Sequence, residues 1–93
     1  MPFDVEQLGR EAAQFVAGPE ALEAVEVATG YDFDRPTYRF TFLIDQDRAH
    51  LPPGLLRIRL MQKLLDSLEA CNDEHVPVIR MLDRTDWERR GGA

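Results

Sequence analysis

From residue 22 to residue 45 the apolar and polar positions of the chain alternate. Val25, Val27, Thr29, Tyr31 and Phe33 interleave with Ala24, Glu26, Ala28, Gly30 and Asp32. Asp34-Arg35-Pro36-Thr37 is a turn-forming run. Beyond it Tyr38, Phe40, Phe42 and Ile44 interleave with Arg39, Thr41, Leu43 and Asp45. A period of two puts each set on its own face of a strand, so this segment predicts a hairpin buried on one side. Five of the chain's eight aromatic residues fall on the single apolar stripe. Gly30 within the first strand predicts a bulge or a close backbone approach.

A helical period flanks the hairpin on both sides. Val5, Leu8, Ala12, Phe15 and Val16 repeat at threes and fours, one apolar stripe of an amphipathic helix. Asp4 is its N-cap candidate, with Gln7 at capping-box spacing and Phe3 and Leu8 at staple spacing. Gly18-Pro19 ends it. After the loop from Asp45 to Gly54 a longer helix is predicted from about Leu55 to Asn72. Its apolar side is Ile58, Met61, Leu64, Leu65, Leu68 and Cys71. Leu56-Arg57-Ile58-Arg59-Leu60 also alternates like a strand, and the helix-forming residues around it decide for helix. Val76 to Leu82 reads as a third strand, with Pro77 marking an edge position or the first ladder residue. Thr85-Asp86-Trp87-Glu88 has capping-box form for a last helical turn.

The predicted fold is α+β. It is a two-layer α/β sandwich in the order α-β-β-α-β with a short C-terminal helical turn. A strand–helix–strand step demands a right-handed crossover and parallel pairing, which gives a three-stranded mixed sheet. Both helices need an apolar face to cover, and the aromatic stripe is the one the hairpin offers. The opposite face then shows Ala24, Glu26, Ala28, Asp32, Arg39, Thr41 and Asp45 to solvent. Residues 1–88 are expected to form a single α+β domain, with 89–93 as a flexible tail.

Charge narrows the choice of partner. The net charge is −6, and residues 1–34 carry eight acidic residues against Arg10 alone, whereas residues 35–93 hold nine acidic and ten basic. A surface of that kind argues against direct nucleic-acid binding and permits a basic protein partner. No apolar run approaches the roughly 20 residues of a membrane span, so no membrane is expected. The single cysteine and the absence of a signal-peptide pattern point to the cytoplasm.

Candidate chemistry is sparse. Cys71 and His75, four apart, could face one ion, but zinc needs a third and fourth ligand and His50 is the only other histidine. No metal and no cofactor are therefore expected. A Cys71 nucleophile would need a histidine and an orienting carboxylate, and its place on the apolar side of its helix disfavours that. Asp45, Asp47 and His50 cluster at the C-terminal end of the second strand, where sites on open sheets often lie. There is no glycine-rich phosphate loop, and Ser67 is the only serine. Arg57, Arg59 and Lys63 make a small basic spot without nearby aromatic residues. The terminal Arg90-Gly91-Gly92 resembles the arginine–diglycine end of ubiquitin-like modifiers, whose last glycine is activated as an adenylate. The resemblance covers only those residues, would require removal of Ala93, and sits on a helix-first order unlike that family's hairpin-first order.

The sequence thus points to a small, acidic, non-catalytic interaction protein: an adaptor, inhibitor or chaperone-like subunit. The expected contact residues are Glu23, Glu26, Asp32, Arg39, Asp45, Asp47 and His50. A homodimer through a strand edge is a second kind of partnership. One alternative is a small enzyme, or a subunit of one, that uses Asp45, Asp47 and His50. Another is an acidic inhibitor imitating nucleic acid, which needs Glu6, Glu11, Glu20, Glu23 and Glu26 aligned on one surface.

Overall fold

A computed structural model describes residues 4 to 92. The elements are α1 (Val5–Ala17), β1 (Leu22–Asp32), β2 (Arg35–Ile44), α2 (Pro53–Ala70), β3 (Val76–Leu82) and α3 (Arg84–Gly92). This is the expected α+β sandwich. Its sheet order is β1-β2-β3, with β1 antiparallel and β3 parallel to β2. The segment that could be read as strand or helix, residues 56–60, is helical.

Helix α1 starts as its sequence dictates. The Asp4 carboxylate accepts the Gln7 N–H at 3.1 Å, satisfying one of the first-turn donors. The Phe3 staple contact lies outside the described residues. The helix stops at Gly18, whose φ of 100° is open to glycine and strained for other residues. Of the expected stripe Ala12 is buried and Val5, Leu8 and Val16 pack against the core, and only Phe15 departs from it. Gly9, Ala12, Ala13 and Ala17 are buried, whereas Phe15 is 75% exposed. The reason is space: a Cβ on Gly9 would lie 2.8 Å from the Phe40 ring. The phenyl rings of β2 fill the layer, so the helix turns its small residues toward them. Phe15 instead receives the Lys63 ammonium 4.4 Å above its ring.

Helix α2 buries part of its expected side, Leu64 and Leu68 with Met61 packed against the core, and adds Leu56 and Leu60 to it. Leu56, Leu60, Leu64 and Leu68, spaced by four, are buried. Such a row drifts around the helix and forms the ridge that packs into a neighbouring groove. Ile58, Leu65 and Cys71 lie outside it, exposed. Pro53 opens the helix where its missing N–H has no cost. At its other end Asn72 takes a φ of 56°, the Asp73 N–H bonds the Leu68 carbonyl at 2.9 Å, and the Asn72 N–H bonds that of Glu69 at 3.0 Å. That is a Schellman motif with Asn at the left-handed position.

The aromatic stripe is core only in part. Tyr38, Phe40 and Phe42 are buried under the helices with Val25 and Ile79. Tyr31 and Phe33 project past the helical layer and are exposed. The turn is tighter than expected: Asp32 pairs with Arg35, so Phe33-Asp34 alone form it and Arg35–Thr37 belong to β2. The register slips between Leu22 and Ala24, not at Gly30, where the close neighbours are the Thr37 and Arg39 side chains.

The opposite face is not left open throughout. Leu43 and Leu82 are buried there. Helix α3 lies across that end, its Arg84 paired with Glu23 and its Arg90 with Glu26. It runs through Gly92, beyond the turn expected at 85–88, because these ion pairs and the Arg90 guanidinium 4.1 Å over the Trp87 ring hold its last turns. Its cap is Asp83 rather than Thr85: the Asp83 carboxylate accepts the Asp86 N–H at 2.8 Å and its carbonyl the Trp87 N–H at 3.0 Å.

Candidate functional site

The expected contact residues separate into three places. Glu23, Asp45 and Asp47 do come together, with Asp83 and Arg84, around an open cavity of about 400 Å³. Asp45 serves its own loop. Its carboxylate accepts the Asp47 N–H at 3.0 Å and sits 3.6 Å from the Arg48 guanidinium, and its carbonyl takes the Arg48 and Ala49 N–H groups. His50 is not among the residues lining that cavity. Its N–H bonds the Ala17 carbonyl, and its ring packs against Gly18 at the end of α1. The trio of Asp45, Asp47 and His50 is therefore not assembled as an acid–base site. Among the described residues no three His, Cys, Asp or Glu side chains gather as metal ligands. No described helix is long and apolar enough to cross a membrane.

The carboxylates of the first third are also dispersed. Glu6 and Glu11 sit on α1, where Glu6 pairs with Arg10 at 3.8 Å and Glu11 accepts from Gln7. Glu23 and Glu26 lie beneath α3 on the far side of the sheet. The Arg90 guanidinium bonded to Glu26 holds that carboxyl below its usual range and raises the arginine in return. No single acidic row results.

Asp32 and Arg39 lie at the hairpin end of the face that carries α3. Arg39 donates to both Asp32 oxygens at 3.0 and 3.1 Å, and the Thr37 hydroxyl donates to the same carboxylate at 3.2 Å. These bonds stiffen the strand ends around a cavity of about 310 Å³ lined by Asp32, Phe33, Arg35, Thr37, Val76 and Val78. Phe33 is 98% and Val78 41% exposed. Phe33 and Asp34 have φ of 54° and 58°, the two positive values that a type I′ turn demands. Asn and Gly adopt them readily. For Phe the left-handed region costs on the order of 1 kcal/mol.

A second cluster stands at the same end of the sheet, where α2 runs into β3. The Tyr38 hydroxyl donates to Asp73 at 2.7 Å, and His75 Nδ1 lies 2.6 Å from the other Asp73 oxygen, which also accepts the His75 N–H at 2.9 Å. A carboxylate can only accept, so Nδ1 carries the proton of this bond. The His75 and Tyr38 rings stack at 4.0 Å, 6° from parallel. Burial, and then the Asp73 carboxylate, push the Tyr38 phenol up to about 12. Burial works to raise Asp73, but the bonds from Tyr38 and His75 together outweigh it and hold the carboxyl below its usual range. Cys71, expected to be buried, is exposed and lines a cavity of about 490 Å³ with Pro36 and residues 72–75. Sequence reasoning passed over Asp73 and Tyr38. The signal was there in Asp73-Glu74-His75, the spacing at which Asp bonds the backbone two residues on.

Compared with known proteins, the chain matches no family model, no curated protein and no solved structure.

Proposed function

We propose that the chain is a small, non-catalytic protein-interaction module, an adaptor, inhibitor or chaperone-like subunit. Its contact surface is the hairpin end of the sheet face that α3 leaves uncovered. Phe33, Val76 and Val78 supply the apolar centre, and Asp32, Arg35 and Thr37 the polar rim, the arrangement of a protein–protein contact. The occupant is a protein segment that inserts an apolar side chain beside Phe33. The acidic excess of residues 1–34 favours the approach of a basic one.

The observation that carries this reading is Phe33. It occupies a strained turn position at 98% exposure, so the free protein bears the strain and recovers no packing. Strain of this kind is retained where it serves a contact. The test is Phe33→Asn, which suits a type I′ turn. The variant should unfold at a higher temperature than the wild type and lose the partner that wild type recovers in pull-downs from its own cell extract. A variant that keeps the partner, or a wild type that recovers none, overturns the reading; the raised stability removes misfolding as an explanation.

A second reading, a thiol-dependent enzyme, is favoured by one arrangement: Asp73 fixes the tautomer of His75, and the exposed Cys71 thiol lines the same cavity. It replaces the trio of Asp45, Asp47 and His50. Here the iodoacetamide alkylation rate of Cys71 at neutral pH should fall at least tenfold in His75→Gln. Equal rates dispose of it.

A further inference from the structure

Helix α2 keeps an apolar row that none of the described residues covers. Ile58 is 59% and Leu65 47% exposed, with Leu55 exposed one turn earlier. At about 100° per residue the outward side of α2 is centred on Gln62. Ile58 and Leu65 fall on one flank of that line, and Arg59 and Asp66, both exposed, on the other. The charge on this face changes sign across Gln62, with Arg59 before it and Asp66 after it.

That pattern is complementary to itself in one orientation. Take a second α2 laid antiparallel against the first, with a two-fold axis beside Gln62. Like flanks of the two helices then meet, and residue numbers on facing positions add to about 124, twice 62. Ile58 meets Leu65 of the second copy, Arg59 meets its Asp66, and Gln62 meets Gln62. Each contact occurs twice. The helix dipoles also oppose each other favourably. A parallel two-fold pairing would instead bring unlike flanks together, setting Arg59 and Asp66 against the apolar flank of Ile58 and Leu65.

The neighbouring strand edge offers no competing route. Residues 77 and 79 turn their backbone groups the same way, and the Ile79 carbonyl faces outward, since it accepts from Arg57 at 2.9 Å. Pro77 brings no N–H to that edge. One donor is missing and one acceptor is occupied, so strand addition at β3 is blunted.

We propose that the protein forms a two-fold dimer through α2, with the second copy packed antiparallel along Ile58, Gln62 and Leu65 and locked in register by Arg59–Asp66 pairs. An 18-residue helix pair falls below the roughly 1,200 Å² of a standard stable interface, so the dimer is reversible and concentration-dependent. It is independent of the Phe33 surface, and Phe33→Asn should leave it intact.

Sedimentation equilibrium from about 5 μM to 0.5 mM tests this in the concentration range of a weak interface. The wild type should pass reversibly from monomer to dimer. Arg59→Glu and Asp66→Arg should each weaken association at least tenfold, because each sets like charges together twice. The double variant Arg59→Glu/Asp66→Arg should restore it. Both substituted residues are on the surface, and circular dichroism verifies that each variant is folded. A wild type that stays monomeric throughout, or a dimer indifferent to the single reversals, or a double variant that remains as weak as the singles, overturns the proposal.

Discussion

Replacing Tyr38 by Phe removes one oxygen from the cluster that ties the end of α2 to β2. The ring keeps its edge-on contact with Phe40 and its stacking on His75, so packing is nearly conserved. What is lost is a 2.7 Å hydrogen bond to a carboxylate, a bond of the charge-assisted kind that contributes about 1.5–3 kcal/mol. For a domain of this size about 2 kcal/mol lowers the melting temperature by roughly 8–16 °C. The pH dependence is the sharper test. The folded-state pKa of Tyr38 lies at about 12, above the model-phenol value of 10.0. A raised pKa favours the neutral phenol, so its contribution is fully present below about pH 10 and is lost as pH rises toward 12. Two units correspond to at most about 3 kcal/mol. Urea denaturation followed by circular dichroism should show the wild type ahead of Tyr38→Phe by about 2 kcal/mol at neutral pH, with the difference closing between about pH 10 and 12. Other groups that titrate there are common to both proteins and cancel. A variant within about 0.5 kcal/mol of wild type at neutral pH, or a difference unchanged at about pH 11.5, would refute the assignment.

Three further substitutions check the rest of the frame. Gly9→Ala should destabilise by about 1–2 kcal/mol despite alanine's better helix propensity, because its Cβ meets the buried Phe40 ring; adding Phe40→Leu should remove the penalty, and thermal melts of the four-protein cycle read it. Asp83→Ala removes the α3 cap and should cost about 1 kcal/mol, with faster amide exchange confined to residues 84–92. Asp73 has a depressed pKa, so its contribution is present above about pH 4 and disappears on acidification; Asp73→Asn should be the less stable protein at pH 6 and lose less between pH 6 and pH 2, and equal acid limbs would contradict it.

Local signals specified most of the architecture. The caps at Asp4 and Gly18, the alternation from Val25 to Ile44 and Pro77 at the third strand each act within a few residues, and each element formed where they place it. What escaped depends on distant partners. Periodicity draws an apolar arc on α1 and α2 but cannot say which part of it meets the sheet. On α1 the Phe40 ring decides that, by leaving room for no more than a glycine at position 9. The length of helix α3, beyond the turn expected at 85–88, escaped because its anchors, Glu23 and Glu26, lie some 60 residues away in sequence. The contact residues were legible as charged positions and not as groupings: Asp32 with Arg39 and Glu26 with Arg90 neutralise one another, while His50 turned to a backbone contact. Tyr38, Asp73 and His75 converge only once α2 has returned the chain to β2.

The mixed sheet also sets an order of events for the folding chain. The β1–β2 ladder closes through two turn residues, whereas the first β2–β3 pair, Thr37 with Val76, spans 39 positions. Loop closure over that distance is slow, and non-local pairing delays folding. The hairpin therefore zips early, and Phe40 and Phe42 wait on an open face until α2 delivers β3. During that interval the strand that becomes the centre of the sheet has a free edge. Aggregation on refolding from denaturant should accordingly scale with protein concentration, and it should fall when α2 is made to form faster.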